Sequence, residues 1–279
     1  MRPRPSWRRA TRRLASSKAG REVARIAGAI LRPLSERSPA RTSRLVPSPH
    51  GPCSPCVRRR SQRRRQRRAR RLRRRQHLGA HAHPEVSMHT PSLAEYMKHI
   101  DRGDWEGVGE LMLSSANKLA KIGADFLICP DNTIHQALRH VEPLSPLPWL
   151  HIAEVVAEHA VERGFRRLGL TGTRWLVESE IYPEKLAARG LEWVRPNADE
   201  RDEMSRVILE ELVYGVFRPE AAACFQRVMS RMRDDGCDAI VLGCTEIPLI
   251  MSDASSPLPT LDSTRLLARA ALRRAVRAL

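Results

Sequence analysis

Two segments of this chain, 113 residues apart, follow one plan, and that repetition restricts the fold more than any other feature. Gly123-Ala124-Asp125-Phe126-Leu127-Ile128-Cys129-Pro130-Asp131-Asn132-Thr133 is matched by Gly236-Cys237-Asp238-Ala239-Ile240-Val241-Leu242-Gly243-Cys244-Thr245-Glu246. Each has Gly-x-Asp, a short apolar run, and a polar cluster beginning eight residues after the glycine. A second match sets Ser145-Pro146-Leu147-Pro148-Trp149-Leu150-His151 against Ser256-Pro257-Leu258-Pro259-Thr260-Leu261-Asp262. Short apolar runs bounded by polar residues read as buried strands. Two such strand-to-loop units predict two half-domains facing each other, with Asp131 and Cys244 at equivalent places.

The residues around the repeats alternate between strand and helix patterns. Strands are expected over 85–89, 126–129, 167–170 and 240–242. Helices are expected over 92–102, 106–122, 133–140, 152–163, 175–189 (broken at Pro183), 205–213, 219–235 and 261–279. Alternation of this kind predicts an α/β fold with largely parallel sheets. Ligands in such folds gather beyond the carboxyl ends of strands, where both polar clusters lie.

The net charge of +18 is concentrated at one end. Residues 1–76 hold 26 Lys+Arg and two Glu, whereas the other 203 residues hold 23 basic and 29 acidic side chains. Thirteen arginines fall within residues 58–75. Self-repulsion and sparse apolar content, outside a short stretch at 23–34, predict disorder over 1–76. A solvated tail, a nucleic-acid arm and a targeting segment all compete as readings of it. The arm lacks interleaved aromatics for base stacking, so nucleic-acid binding is not expected. A fourth reading, a shifted frame or misplaced start, is favoured because GC-rich DNA read out of frame yields this composition. Cys53 and Cys56 form half a zinc motif with no second ligand pair at suitable spacing, and are read as coincidence.

No stretch reaches the roughly 18–20 apolar residues needed to span a bilayer. Six sparsely spaced cysteines in a chain of this size point to reduced thiols in a cytoplasmic setting.

The polar clusters carry the chemistry. A strand-to-helix junction offers free backbone N–H groups and partial positive charge, a seat for a carboxylate. Thiolate is the reactive form of cysteine, and such a seat favours it at Cys244. Asp131 reads both as a cap for the following turn and as an acid/base group. Thr171 and Thr173 stand at another strand exit, His135 falls on the helix after the first cluster, and His151 and Asp262 occupy matching places in the second repeated segment, from which both are expected to approach the cleft. Cys129, Cys224 and Cys237 read as structural.

Ile240-Val241-Leu242-Gly243-Cys244-Thr245-Glu246-Ile247-Pro248-Leu249-Ile250 resembles the second signature of the cofactor-independent aspartate/glutamate racemases. Asn132-Thr133-Ile134-His135 resembles the tail of the first signature, and the similarity extends over roughly residues 77–279. It implies two pseudo-symmetric Rossmann-like lobes, over 77–150 and 151–258, with 259–279 completing the first. It implies neither pyridoxal phosphate nor metal, and commonly a homodimer. Carried over residue by residue, Cys244 and Asp131 are the catalytic pair. Asn132, Thr133, Thr173, Thr245 and Glu246 become substrate contacts.

Two departures follow. Asp131 stands where the family has Cys or Thr, and no strand with a Gly-rich loop precedes residue 77, so the first lobe is expected to be incomplete. The expected function is racemisation of a small acidic amino acid. Alternatives are a one-cysteine decarboxylase or isomerase of a small dicarboxylate, or a non-catalytic carboxylate binder.

Overall fold

In the computed structural model, which describes residues 83–278, short strands alternate with helices. After a coil come α1 (Leu93–Ile100), α2 (Trp105–Lys121) and β1 (Leu127–Ile128). A 3-10 turn, Thr133–Ala137, continues as α3 (Leu138–Val141), followed by β2 (Trp149–Leu150) and α4 (Ile152–Arg163). Next are β3 (Arg167–Thr171), α5 (Arg174–Val177), α6 (Ile181–Ala187), β4 (Glu192–Val194) and α7 (Ala198–Arg206). The order ends with α8 (Pro219–Asp234), β5 (Ala239–Leu242), β6 (Thr260–Asp262) and α9 (Ser263–Ala278). The Arg-rich segment 1–76, its apolar stretch 23–34 and the Cys53/Cys56 pair lie outside the described residues. Among those described, no helix is long and apolar enough to cross a membrane.

All strand pairing is parallel, as expected for this α/β pattern: β1 with β2 in one sheet, and β4-β3-β5-β6 in the other. The internal repeat is preserved down to register. Leu127 N–H donates to Pro148 O at 2.9 Å and Leu127 lies opposite Trp149. Its counterpart Ile240 donates to Pro259 O at 2.9 Å and lies opposite Thr260. The serines that open the second match act alike: Ser145 Oγ accepts from Leu147 N–H at 3.4 Å, and Ser256 Oγ from Leu258 N–H at 3.3 Å. The two units differ in their other neighbours. β3 runs along the second edge of β5, while no described residue pairs with that edge of β1. Val241 is accordingly 1% exposed and its repeat counterpart Ile128 is 41% exposed.

Alternation along β5 feeds two cores. Val241 packs with Ile152, Val156, Leu168, Tyr182, Leu261 and Leu267 on the face covered by α4, α6 and α9. Ile240 and Leu242 point the opposite way, into Met204, Ile208, Phe225, Met229 and Met232 of α7, α8 and the turn between them. A third cluster joins α1, α2 and α3 around Val108, Met112, Leu138 and Val141. α7 begins at a capping box, Asn197 with Glu200, and the same Glu200 carboxylate receives the Arg231 fork at 2.6 and 2.5 Å. One residue thus closes a helix end and ties it to α8.

Several expectations need correction. Residues 85–89 are coil, without a partner strand. The helical region 175–189 breaks at 178–180. Pro183 sits in the first turn of α6, where its missing N–H removes no helical bond. Residues 133–140 begin as a 3-10 turn, and the helix expected over 205–213 starts at Ala198 and ends in a π-turn, Val207–Glu211. Strands β4 and β6, three residues each, were too short for periodicity to reveal. β6 pairs with β5 in the second sheet, while α9 packs on α4 and also reaches β2 of the first sheet.

The exposure difference between the two units yields a stability test. Val241→Ala should cost about 2 kcal/mol in urea denaturation and Ile128→Ala less than about 1 kcal/mol. Equal losses would contradict the unequal packing of the two repeats.

Candidate active site at the strand exits

Because β3, β5 and β6 run parallel, their carboxyl ends open on one side, and the β1 exit joins them there. Thr133 Oγ1 lies 3.3 Å from Thr173 Oγ1, and Asn132 Nδ2 donates to Ser263 Oγ at 3.0 Å. Between β3 and β5 the backbones close up: Gly243 N–H donates to Thr171 O at 2.9 Å. A Cβ on Gly243 would stand 2.5 Å from that oxygen, so only glycine fits, and Cys244 follows immediately.

Cys244 Sγ donates to Glu246 Oε2 at 2.8 Å, and Thr245 Oγ1 donates to the same oxygen at 2.8 Å. Desolvation raises the Cys244 pKa well above that of an ordinary thiol, and the charges of Glu246 and Asp131 push the same way. Cys244 is therefore held as a thiol, contrary to the thiolate that a helix-terminus seat alone would favour. At the repeat-related exit, Asp131 Oδ1 accepts Ile134 N–H at 3.1 Å, the capping role expected of it. Asp131 keeps a solvent-exposed edge although protein atoms crowd its carboxyl. Its pKa is raised, by desolvation first, with the Glu246 charge adding to the rise and backbone N–H donors from Ile134 and Thr133 opposing it. The open edge of the carboxyl limits that rise.

Of the remaining expected contacts, Thr133, Thr173, Thr245 and Glu246 gather at these exits. Glu246 does more than expected, since its carboxylate is the partner of the Cys244 thiol. Asn132 departs from expectation: its carboxamide turns inward, with Oδ1 accepting from Tyr182 OH at 2.7 Å and Nδ2 engaged by Ser263. Thr171 Oγ1 is spent on Val241 O at 2.6 Å, and Asp262 caps α9 through Arg265 N–H at 3.0 Å.

Cys129 packs with the first-lobe helices, yet its thiol lies beside the Asp131 backbone, and burial pushes it up to about 12. Cys224 and Cys237 are core residues, as expected. His135 is structural. Ile152 N–H donates to its Nε2 at 3.2 Å, so the ring proton sits on Nδ1 and is given to Asp131 O at 2.7 Å. The His151 ring lies edge-on, 4.9 Å away, and its Nδ1 is buried without a partner. Tyr182 and Ser263 were not anticipated, as nothing in their local sequence marks them. Two surface cavities, of about 240 and 310 Å³, are lined by other residues, including Glu211 and Cys224 in one and Glu158 and Arg189 in the other.

With this geometry in hand, comparison with known proteins is specific. The family model described as Asp/Glu/Hydantoin racemase matches residues 68–271. The chain is 23% identical over 169 residues to the broad specificity amino-acid racemase RacX of Bacillus subtilis (strain 168), covering 60% of this chain and 71% of that protein. Among solved structures it resembles a putative Asp/Glu racemase from Yersinia pestis at 29% identity and a TM-score of 0.66, covering 73% of this chain and 90% of the other. It also resembles an aspartate racemase homologue from Pyrococcus horikoshii OT3 at 27% identity and a TM-score of 0.62, covering 70% and 85%.

Two measurements test the electrostatics. Glu246→Gln removes a charge and an acceptor that both hold the Cys244 proton. It should lower the pH at which iodoacetamide labels Cys244, read peptide by peptide in a mass spectrometer; an unmoved profile contradicts the pairing. The histidines give a stability test. Burial lowers His135 to about 3 and His151 to about 4, against about 6.5 unfolded. The unfolded chain binds more protons between about pH 4 and 6.5, so stability must fall as pH drops through that window. The urea midpoint should decline from pH 7 to 4.5, less steeply in His151→Asn; parallel declines would remove His151 from the account.

Proposed function

The chain belongs to the Asp/Glu/Hydantoin racemase family, and from that premise we propose that it moves the α proton of a small acidic amino acid or related carboxylate without a cofactor. The observation that carries this reading is the pairing of Cys244 with Glu246 at one strand exit, with Asp131 at the repeat-related exit near enough for its charge to act on the thiol. Asp131 and Cys244 would address opposite faces of one carbon. The Thr133 and Thr173 hydroxyls, 3.3 Å apart, would take the substrate carboxylate together with N–H groups of the adjoining turn. Asn132 would serve through its main chain and by holding the exit in place, and Thr245 and Glu246 by fixing the thiol.

Magnitudes decide which group starts with the proton. Ordinary Asp and Cys values differ by about 4.6, or ~6 kcal/mol. Desolvation raises both groups, and we propose that the ordinary order persists, with carboxylate at Asp131 and thiol at Cys244 in the resting pair. Desolvation makes Asp131 a stronger base than a free carboxylate. It would remove the α proton from one face while the thiol delivers its own to the other, leaving Asp131 protonated and Cys244 as thiolate. Glu246, already bonded to Sγ, would help restore the thiol from solvent. The family's racemisation thus survives the replacement of one cysteine, at the cost of a weaker base.

A second reading draws on the same protonated Cys244. A single thiol donor protonates an enolate-like intermediate from one face, as decarboxylation of a small diacid would require. The sparse cysteine spacing and the family membership lead us to propose a cytoplasmic protein that forms a homodimer.

Exchange of the substrate α hydrogen in deuterated water tests the main reading. With aspartate, glutamate and close analogues, Cys244→Ala should reduce exchange at least about 100-fold. Asp131→Cys should accelerate it by supplying a second thiol. Exchange that persists in Cys244→Ala sinks the assignment, and release of carbon dioxide without exchange transfers support to the second reading.

A further inference from the structure

The exits that carry Asp131 and Cys244 are joined beneath the surface by one hydrogen-bond chain. Tyr182 OH on α6 donates to Asn132 Oδ1 at 2.7 Å, Asn132 Nδ2 donates to Ser263 Oγ at 3.0 Å, and Ser263 Oγ donates to Leu242 O at 2.8 Å. Tyr182, Asn132 and Ser263 are 2%, 3% and 0% exposed, so water does not compete for these bonds. The proton order has one solution. Ser263 owns one hydroxyl hydrogen and gives it to Leu242 O, so it must accept from the Asn132 amide nitrogen. The amide oxygen then faces Tyr182, which must donate. Breaking any link leaves a buried polar atom unmatched, a loss of about 1–3 kcal/mol.

The chain ends where the chemistry begins. Asn132 directly follows Asp131, and Leu242 precedes Cys244 by a single glycine whose conformation is fixed against Thr171. Tyr182 comes from α6 and Ser263 from the first turn of α9, so four separate elements meet in the link.

We propose that Tyr182 and Ser263 are positioning residues that, through Asn132, set the separation and orientation of Asp131 relative to Cys244. The catalytic consequence rests on the proton-transfer reading given above, whereas the geometric claim is testable without substrate. A single hydrogen-bonded column of this kind converts movement of α6 or α9 into a change in the gap between the two groups. An ångström of misplacement there would slow proton transfer by about 100-fold.

The test uses the Cys244 thiol as a reporter of the Asp131 charge. In the full chain, Asp131→Asn should lower the pH midpoint of Cys244 labelling by iodoacetamide by about 0.5 or more. The same substitution is then made in Tyr182→Phe and in Ser263→Ala, with circular dichroism and urea midpoints confirming that each background is folded. The expected result is a shift less than half as large in either background, and a full shift in Ser263→Thr, which keeps the hydroxyl. A full shift in all backgrounds overturns the positioning role while leaving the catalytic pair intact. No shift in the native background overturns both. If Tyr182→Phe does not fold, Ser263→Ala and Ser263→Thr alone decide. With a substrate that is turned over, either disruptive variant should lose kcat about 10- to 100-fold with little change in KM.

Discussion

The backbones of β3 and β5 touch at Thr171 and Gly243, and the placement of the thiol depends on that contact. Parallel pairing brings the strand ends to one side of the sheet, but pairing alone leaves the exits free to splay. The Gly243 N–H bond to Thr171 O holds them together, and the absence of a Cβ at Gly243 permits the approach. Cys244 leaves the sheet in the direction this contact dictates, toward Glu246. Beyond it, the Thr133–Thr173 contact and the Asn132–Ser263 bond bring the exit of a different sheet into the same space.

Burial governs the chemistry of every cysteine described, but to different ends. Cys224 and Cys237 are each pushed to about 11, by desolvation first, at the margin of the core between sheet and helices, with the Glu203 charge adding to the rise at Cys224. Cys244 is raised as well, yet its hydrogen has a carboxylate acceptor and its surface is partly open. A raised pKa does not by itself mark a thiol as inert. With a nearby base and solvent access it marks a proton donor, and the activating thiolate environment known for nucleophilic cysteines is the wrong comparison here.

Much of this arrangement was legible in the chain itself. The spacing of Gly-x-Asp, apolar run and polar cluster located both exits, and the repeated Ser-Pro-Leu-Pro segments have the same turn and register in the folded protein. The strands that escaped notice are two or three residues long, too brief for a period of two to register. Pro183 looked like a helix break because proline usually is one, but position within the first turn removes its penalty. Residues whose meaning depends on distant partners could not be read. The family resemblance makes Asn132 a substrate contact, and only the approach of α6 and α9 reveals that its carboxamide turns inward. Tyr182 and Ser263 are separated from it by 50 and 131 positions, beyond any local pattern.

The fixed hydrogen ordering of the Tyr182–Asn132–Ser263–Leu242 chain has a further consequence for isotope flow. An amide cannot pass a proton along without changing its bonding, and the one hydroxyl beyond it is already committed to a carbonyl. The column is therefore an insulator for protons, rigid but not conducting. Hydrogen reaching the site must arrive from the solvent side, past Glu246 or the open edge of Asp131. Under the proposed proton transfer, label entering a product would then report water at the mouth of the site and never the interior of the fold.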